Sequence, residues 1–241
     1  MKIFAIGDLH LSFNENIDKP MSAFGEGWDN YEQRLLASWR ERISEEDTTI
    51  LAGDLSWGLK LDEAMNDLDW IHELPGQKVL FKGNHDLWWN RITHLNGLYD
   101  DMHFIQNDCH VIPGSGVAIA GTRGWILPMS EDFTEHDEKI YARELMRMKA
   151  SLDSAVKAGA ERIIAVLHYP PADDFRRKSD FTDLLEEYPV TDCVYGHLHG
   201  MLAFKKGIKG EQNGINYSLC SLDYLGAEPK FICEAGSEVR S

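Results

Sequence analysis

Six short apolar runs, each closing on a glycine or a histidine, constrain this 241-residue chain more than any other feature. They are KIFAIG (residues 2–7), TILAG (49–53), KVLFKG (78–83), VAIAG (117–121), RIIAVLH (162–168) and DCVYGH (192–197). Runs this short and this continuously apolar read as strands covered on both faces. Helical patterns lie between several of them. Tyr31, Leu35, Leu36, Trp39 and Ile43 recur at helical spacing within 29–44, with Asp29 as the expected N-cap. Leu61, Ala64, Met65, Leu68, Ile71 and Leu74 do the same before Pro75-Gly76, and Ile140, Leu145, Met148, Leu152 and Val156 do so within 136–157, ahead of Gly159. Strand alternating with helix predicts βαβ units and a mostly parallel sheet.

Past His199 the pattern changes. MLAFKK, INYSLC and KFICEA read as short strands with no helix between them, as in an antiparallel or mixed sheet, and residues 173–180 and 207–213 read as exposed loops. The expected fold class is α/β, with two packed mixed β-sheets flanked by helices in one domain covering 1–241.

Composition narrows the partners. Forty Asp and Glu against 24 Lys and Arg give a formal charge of −16, which repels a phosphate backbone and argues against nucleic acid. No apolar run approaches the roughly 20 residues that span a bilayer, and the start, MKIFAIGDLH, is too short in apolar residues for a signal peptide. A cytoplasmic location, away from any membrane, is the expectation. Cys109, Cys193, Cys220 and Cys233 are scattered without a C-x-x-C pair and read as reduced core residues.

The chemistry sits at the carboxyl ends of the runs. Asp8 and His10 lie in GDLH, Asp54 in AGDLS, Asn84, His85 and Asp86 in KGNHD, His168 in LHYPP, and His197 and His199 in GHLHG. Ligands of open parallel sheets collect beyond the carboxyl ends of the strands, so these distant segments are expected to converge. The donors are carboxylate, imidazole and amide oxygen without thiolate, a set suited to divalent Mn, Fe or Zn. Two Asp, one Asn and four His exceed the needs of one ion, whereas two ions sharing a carboxylate would use them all. An extended backbone would project both side chains of D-x-H or H-x-H to one side. Glycines at 7, 53, 83 and 196 would let the chain approach a compact site without a Cβ clash. Singly, D-x-H or the lone His168 is equally a solvated loop or a hydrogen-bonded core residue. Five such elements in order, each closing its own strand, point to a site.

With these residues in view, the chain resembles the calcineurin-like metallophosphoesterase superfamily, whose pattern D-x-H, G-D, G-N-H-[DE], H and G-H-x-H is filled here from Asp8 to His199. The resemblance implies a pair of β-sheets flanked by helices and two divalent metal ions. One would be held by Asp8, His10 and His199, the other by Asn84, His168 and His197, with Asp54 bridging. It also implies that His85 stabilises the transition state or protonates the leaving oxygen, and that Asp86 orients the His85 imidazole. The implied activity is hydrolysis of a phosphodiester or small phosphoester by attack of a metal-bound hydroxide, with cations roughly 3.5–4 Å apart neutralising charge as it builds.

Two departures bear on the substrate. GDLSWG lacks the arginine of the G-D-x-V-D-R-G pattern of the superfamily's phosphoprotein phosphatases, which usually also show G-N-H-E, and His85 stands where related UDP-sugar pyrophosphatases carry Arg. The alternatives are a phosphoprotein phosphatase or a catalytically silent binding scaffold of the same fold; a scaffold would show missing ligands, and here every position is filled. Trp57, Trp88, Trp89 and Trp125 either stack on a base or aryl leaving group or simply wall the site and fill core. Arg123 reads as an ion-paired arginine or a phosphate contact, and residues 11–28 as a lid or a surface excursion. The expected partner is a small phosphoester.

Overall fold

Side-chain alternation along the strands explains why their sequences are apolar throughout. In β1 (Lys2–Ile6), Ile3 and Ala5 belong to one core, while Phe4 and Ile6 belong to another. Strands whose two faces both meet protein have no side left for polar residues. The computed structural model describes residues 1–236. After β1 come α1 (Tyr31–Arg42), β2 (Thr48–Leu51), α2 (Leu61–His72), β3 (Gln77–Leu80), α3 (Ile92–Leu95), β4 (Met102–Phe104), β5 (Cys109–Val111) and β6 (Val117–Thr122). The chain continues through α4 (Glu135–Lys157), β7 (Arg162–Leu167), α5 (Asp180–Glu186), β8 (Val190–Tyr195), α6 (Gly200–Lys206), β9 (Gly210–Gln212), β10 (Ile215–Leu219), α7 (Leu222–Leu225) and β11 (Lys230–Glu234).

Two mixed sheets result. One has the order β11-β1-β2-β3-β4, parallel except for β11, and the other β5-β6-β7-β8-β10-β9, parallel except for β5 and β9. Ile3, Ile50, Val79, Ile119, Ile164, Val166 and Val194 form the layer between the sheets. Leu35, Trp39, Leu68 and Ile71 of α1 and α2 cover the outer face of the first sheet, and Met148, Leu152 and Phe181 of α4 and α5 cover that of the second. Each fully buried side chain of this kind contributes about 1.5–3 kcal/mol over its exposed state. Helices therefore flank two packed mixed sheets, as the sequence predicts. The sheets join where the site lies. Gly7 donates from its N–H to the Cys220 carbonyl (2.7 Å), and Leu222 donates back to the Gly7 carbonyl (3.0 Å).

Several local expectations need correction. The α1 N-cap is Asn30, in a left-handed conformation that Asn tolerates, rather than Asp29. On α4 the buried stripe runs through Tyr141, Glu144, Met148, Leu152 and Ala155, so Val156 faces solvent. MLAFKK is helix α6, not a strand: Met, Leu, Ala and Lys are strong helix formers, and Met201 and Leu202 are exposed. With α7 it also places helices between the last strands. Within 207–213, Gly210–Gln212 is an edge strand paired antiparallel with β10 across Asn213-Gly214, whose positive φ values of 51° and 82° suit a tight hairpin turn. Asp180 opens helix α5 and does not belong to the preceding loop. Among the described residues no helix is long and apolar enough to cross a membrane.

Candidate metal centre

The strand ends deliver the site through backbone turns, not through extended chain. Asp8 and His10 (φ 57° and 47°) follow β1, Asp54 (φ 52°) follows β2 and His197 (φ 70°) follows β8. The extended geometry expected for D-x-H is therefore replaced by left-handed residues, and in H-x-H His197 is left-handed while His199 stays extended. Asp8 and His10 are held by bonds between the neighbouring loops, from Asp8 N–H to the Gly53 carbonyl (2.8 Å) and from His10 N–H to the Asp54 carbonyl (2.9 Å). Left-handed backbone costs a non-glycine residue energy, and such outliers persist where their surroundings over-determine them. Two glycines are required by close approach: a Cβ at Gly83 would run into the Asp54 carboxylate, and one at Gly196 into that of Asp8.

All seven proposed donors converge. Donor atoms of Asp8, His10 and His199 lie within 4.8 Å of one another, and so do those of Asp54, His168 and His197. Asn84 Oδ1 lies 2.8 Å from His168 Nε2 and 2.9 Å from His197 Nδ1. Asp54 Oδ2 faces both groups, 3.3 Å from His168 Nε2 and 3.9 Å from His10 Nε2. Asp8, His10, Asp54 and His168 are buried.

The donor chemistry fits cations. His168 Nδ1 is 3.0 Å from the Ala52 carbonyl, which fixes its proton there. In the neutral ring, Nε2 then turns a lone pair toward Asn84 Oδ1, Asp54 Oδ2 and His197 Nδ1 (3.3 Å). His199 repeats this, with Nδ1 3.0 Å from Asp223 Oδ1 and Nε2 facing His10 Nε2 at 3.4 Å and Asp8 Oδ1 at 3.6 Å. Acceptors facing acceptors in a buried space repel unless a positive charge stands between them. Without a metal, a proton takes that place: burial opposes charging His168, but Asp54 outweighs it and raises the pKa to about 9, and His199 is raised to about 10 against burial by Asp223 and Asp8. Burial depresses His10 to about 4 and His197 to about 3, leaving neutral imidazoles of the kind that bind metal. The Asp54 carboxyl is held well below the usual carboxylate range, since His168 and His10 outweigh its burial.

His85 sits exposed at the mouth, its ring 4.5 Å from that of Trp57 and 5.6 Å from that of His10. Asp86 does not orient it. The buried Asp86 carboxylate instead accepts N–H bonds from Asp54, Leu55 and Gly83 (each 2.8 Å) and from the Trp88 indole (3.1 Å), tying the GNHD turn to the end of β2. Its carboxyl is pushed up to about 6 by burial and the Asp54 charge.

A cleft of about 430 Å³ opens over these residues, walled by Met21, Phe24, Trp28 and Trp57. Trp57 stacks on His10 with centroids 4.8 Å apart. Trp88 and Trp89 fill the first core, and Trp125 packs against Tyr169 over the second sheet. Residues 11–28 include two short 3-10 turns that seat Met21 and Trp28 as buried anchors beside the cleft. Asp223 escaped the sequence reading, although it sits just past the carboxyl end of β10, a parallel strand like those that deliver the other residues.

A two-sheet sandwich flanked by helices, with an Asp, Asn and His cage at its strand ends, is the architecture of a metal-dependent phosphoesterase. The sequence profile of the calcineurin-like phosphoesterases matches residues 1–201, and the chain belongs to that family. Among solved structures it is similar to the phosphopantetheinyl hydrolase of Mycobacterium tuberculosis, at 16% identity and a TM-score of 0.60, over 100% of this chain and 98% of that one. It is also similar to a protein of unknown function from Aquifex aeolicus, at 18% identity and a TM-score of 0.45, over 95% of each chain. No curated protein matches it.

Proposed function

We propose that this chain hydrolyses a phosphodiester or small phosphoester with two divalent cations. Asp8, His10 and His199 hold one, Asn84, His168 and His197 hold the other, and Asp54 is shared. The observation that carries this reading is the convergence of two groups of carboxylate and imidazole donors, with Asn84 Oδ1 beside the second, all within a few ångströms of one another. Bound there, two cations would neutralise phosphoryl oxygens and lower the pKa of an attacking water. The protein's own contribution is placement. The Ala52 carbonyl and the Asp223 carboxylate fix the tautomers of His168 and His199, and the Asp86 carboxylate holds the GNHD turn. His85, at the mouth, is positioned to give a proton to the departing oxygen. The walls formed by Trp57, Trp28 and Phe24 favour a leaving group with a flat or apolar part.

The test is hydrolysis of bis-p-nitrophenyl phosphate by the full chain with added Mn, alongside a panel of nucleotides, phosphopeptides and phosphopantetheine esters. Turnover that requires Mn supports the reading. No turnover on any of these substrates would overturn it.

A further inference from the structure

A second concave site lies away from the metal cleft and shares none of its lining residues. It encloses about 230 Å³ between α4 and the carboxyl ends of β3, β4 and β6. That is small beside the roughly 300–1,000 Å³ of organic-ligand pockets. Lys82, Arg123, Arg143 and Arg147 line it, with Glu144 as the one carboxylate among them. This gathering of cations is unusual in a chain with a formal charge of −16.

Glu144 does not balance the group. Its Oε2 accepts the Thr122 hydroxyl (2.6 Å), while its Oε1 is shared by Arg147 (3.0 Å), Arg123 (3.5 Å) and Arg143 (3.7 Å). Three guanidiniums thus share a single buried carboxylate oxygen, and Lys82 lines the same space. Two lining side chains also carry buried donors without an acceptor among the described residues, Arg123 at Nε and Trp89 at Nε1, and Trp89 as a whole is 8% exposed. A protein bears such donors and such excess charge at a cost unless an acceptor of opposite charge is expected. The fork of a guanidinium matches a tetrahedral oxyanion through paired N–H bonds, and three of them surround this space.

We propose that this pocket binds a phosphoryl dianion, independently of the metal centre. The site is rigidly joined to that centre: the Arg123 carbonyl accepts the N–H of His168 (3.0 Å), and Lys82 precedes Gly83 and Asn84.

The experiment uses the full chain stripped of divalent cations with EDTA, so its outcome does not depend on the phosphoesterase reading. Inorganic phosphate is titrated in, and the indole N–H signals are followed by NMR. Saturable binding is expected, with a shift in the signal that disappears in Trp89→Phe. Arg147→Gln and Arg143→Gln, on the half-exposed face of α4, should each weaken binding about tenfold. Competition by glycerol phosphate would assign the site to the phosphoryl group of an organic ester; failure to compete would assign it to the free ion. No saturation with phosphate, or an affinity unchanged in both arginine variants, would overturn the proposal.

Discussion

The two clefts stand at the same ends of the parallel strands, yet they are built from opposite hydrogen-bonding chemistry. Around the metal centre, carboxylate, amide and imidazole atoms crowd within hydrogen-bond reach of one another and need positive charge between them, which a proton or a metal cation can supply. Around the α4 pocket, guanidinium and indole donors outnumber the acceptors. Each is a deficit of one sign, and each names its complement: cations in the first, an oxyanion in the second. The general lesson is that a buried polar site is best read by what it fails to satisfy, because satisfied groups hold a fold together and unsatisfied ones await a ligand.

Substitutions that act on one cleft and spare the other would break or sharpen this contrast. The largest effect is expected for Asp54→Asn, which removes the charge facing both donor groups. Mn-dependent turnover should fall by more than the roughly 10–100-fold typical of residues that only support a metal ligand, while phosphate binding in EDTA stays intact. Loss of both would show that the pockets are one site. Next is His85→Ala. It belongs to neither donor group and meets the cage only edge-on at the His10 ring, so metal content by elemental analysis should not change. Turnover of substrates with poor leaving groups should drop by about 10²–10⁴, and p-nitrophenyl esters should suffer much less. Equal losses on both kinds of substrate would remove the proton-donor role.

A smaller loss is expected for Asp223→Asn. The carboxylate accepts from His199 Nδ1 at 3.0 Å and from the Gly200 N–H at 3.2 Å, so it positions a ligand without being one. Mn affinity should weaken by roughly 10–100-fold, with activity recovered at higher Mn. Activity that excess Mn does not restore would mean that Asp223 acts on the substrate instead.

How much of this is legible in the sequence follows from what each feature depends on. The ligand-bearing strand ends are legible because continuous apolar runs mark strands buried on both faces, and the parallel-sheet rule says where their ends meet. Asp223 is missed for the same rule's sake: β10 is short and follows a hairpin, so it reads as antiparallel, although it pairs parallel to β8. The Asn213-Gly214 turn carries a recognisable hairpin signal, hidden in a segment whose polarity suggests a loop. Asp86 is read as the partner of its neighbour His85, whereas the fold spends its carboxylate on backbone N–H groups that only tertiary structure brings near. The α4 pocket is invisible in sequence, since Lys82, Arg123 and Arg147 share no motif and meet only because β3, β6 and α4 pack together.

A pH comparison of the two clefts is meaningful only where the fold itself is intact, and one histidine outside both contributes to that limit. His103 on β4 and His110 on β5 stack with centroids 4.3 Å apart, joining the edge strands of the two sheets. Burial, and then the charge of His103, depress His110 from 6.5 to about 4; burial lowers His103 as well. Between those values the unfolded chain takes up a proton at His110 that the folded chain refuses, so stability falls as pH falls from 6.5 toward 4 and is fully present above 6.5. His110→Phe keeps a ring in the stack and removes the titration. Its melting temperature should therefore fall less steeply than wild type across that window, by about 2–4 °C for each kcal/mol of linkage removed. Identical slopes would place the acid sensitivity elsewhere, with the histidines of the metal cage as the next groups to test.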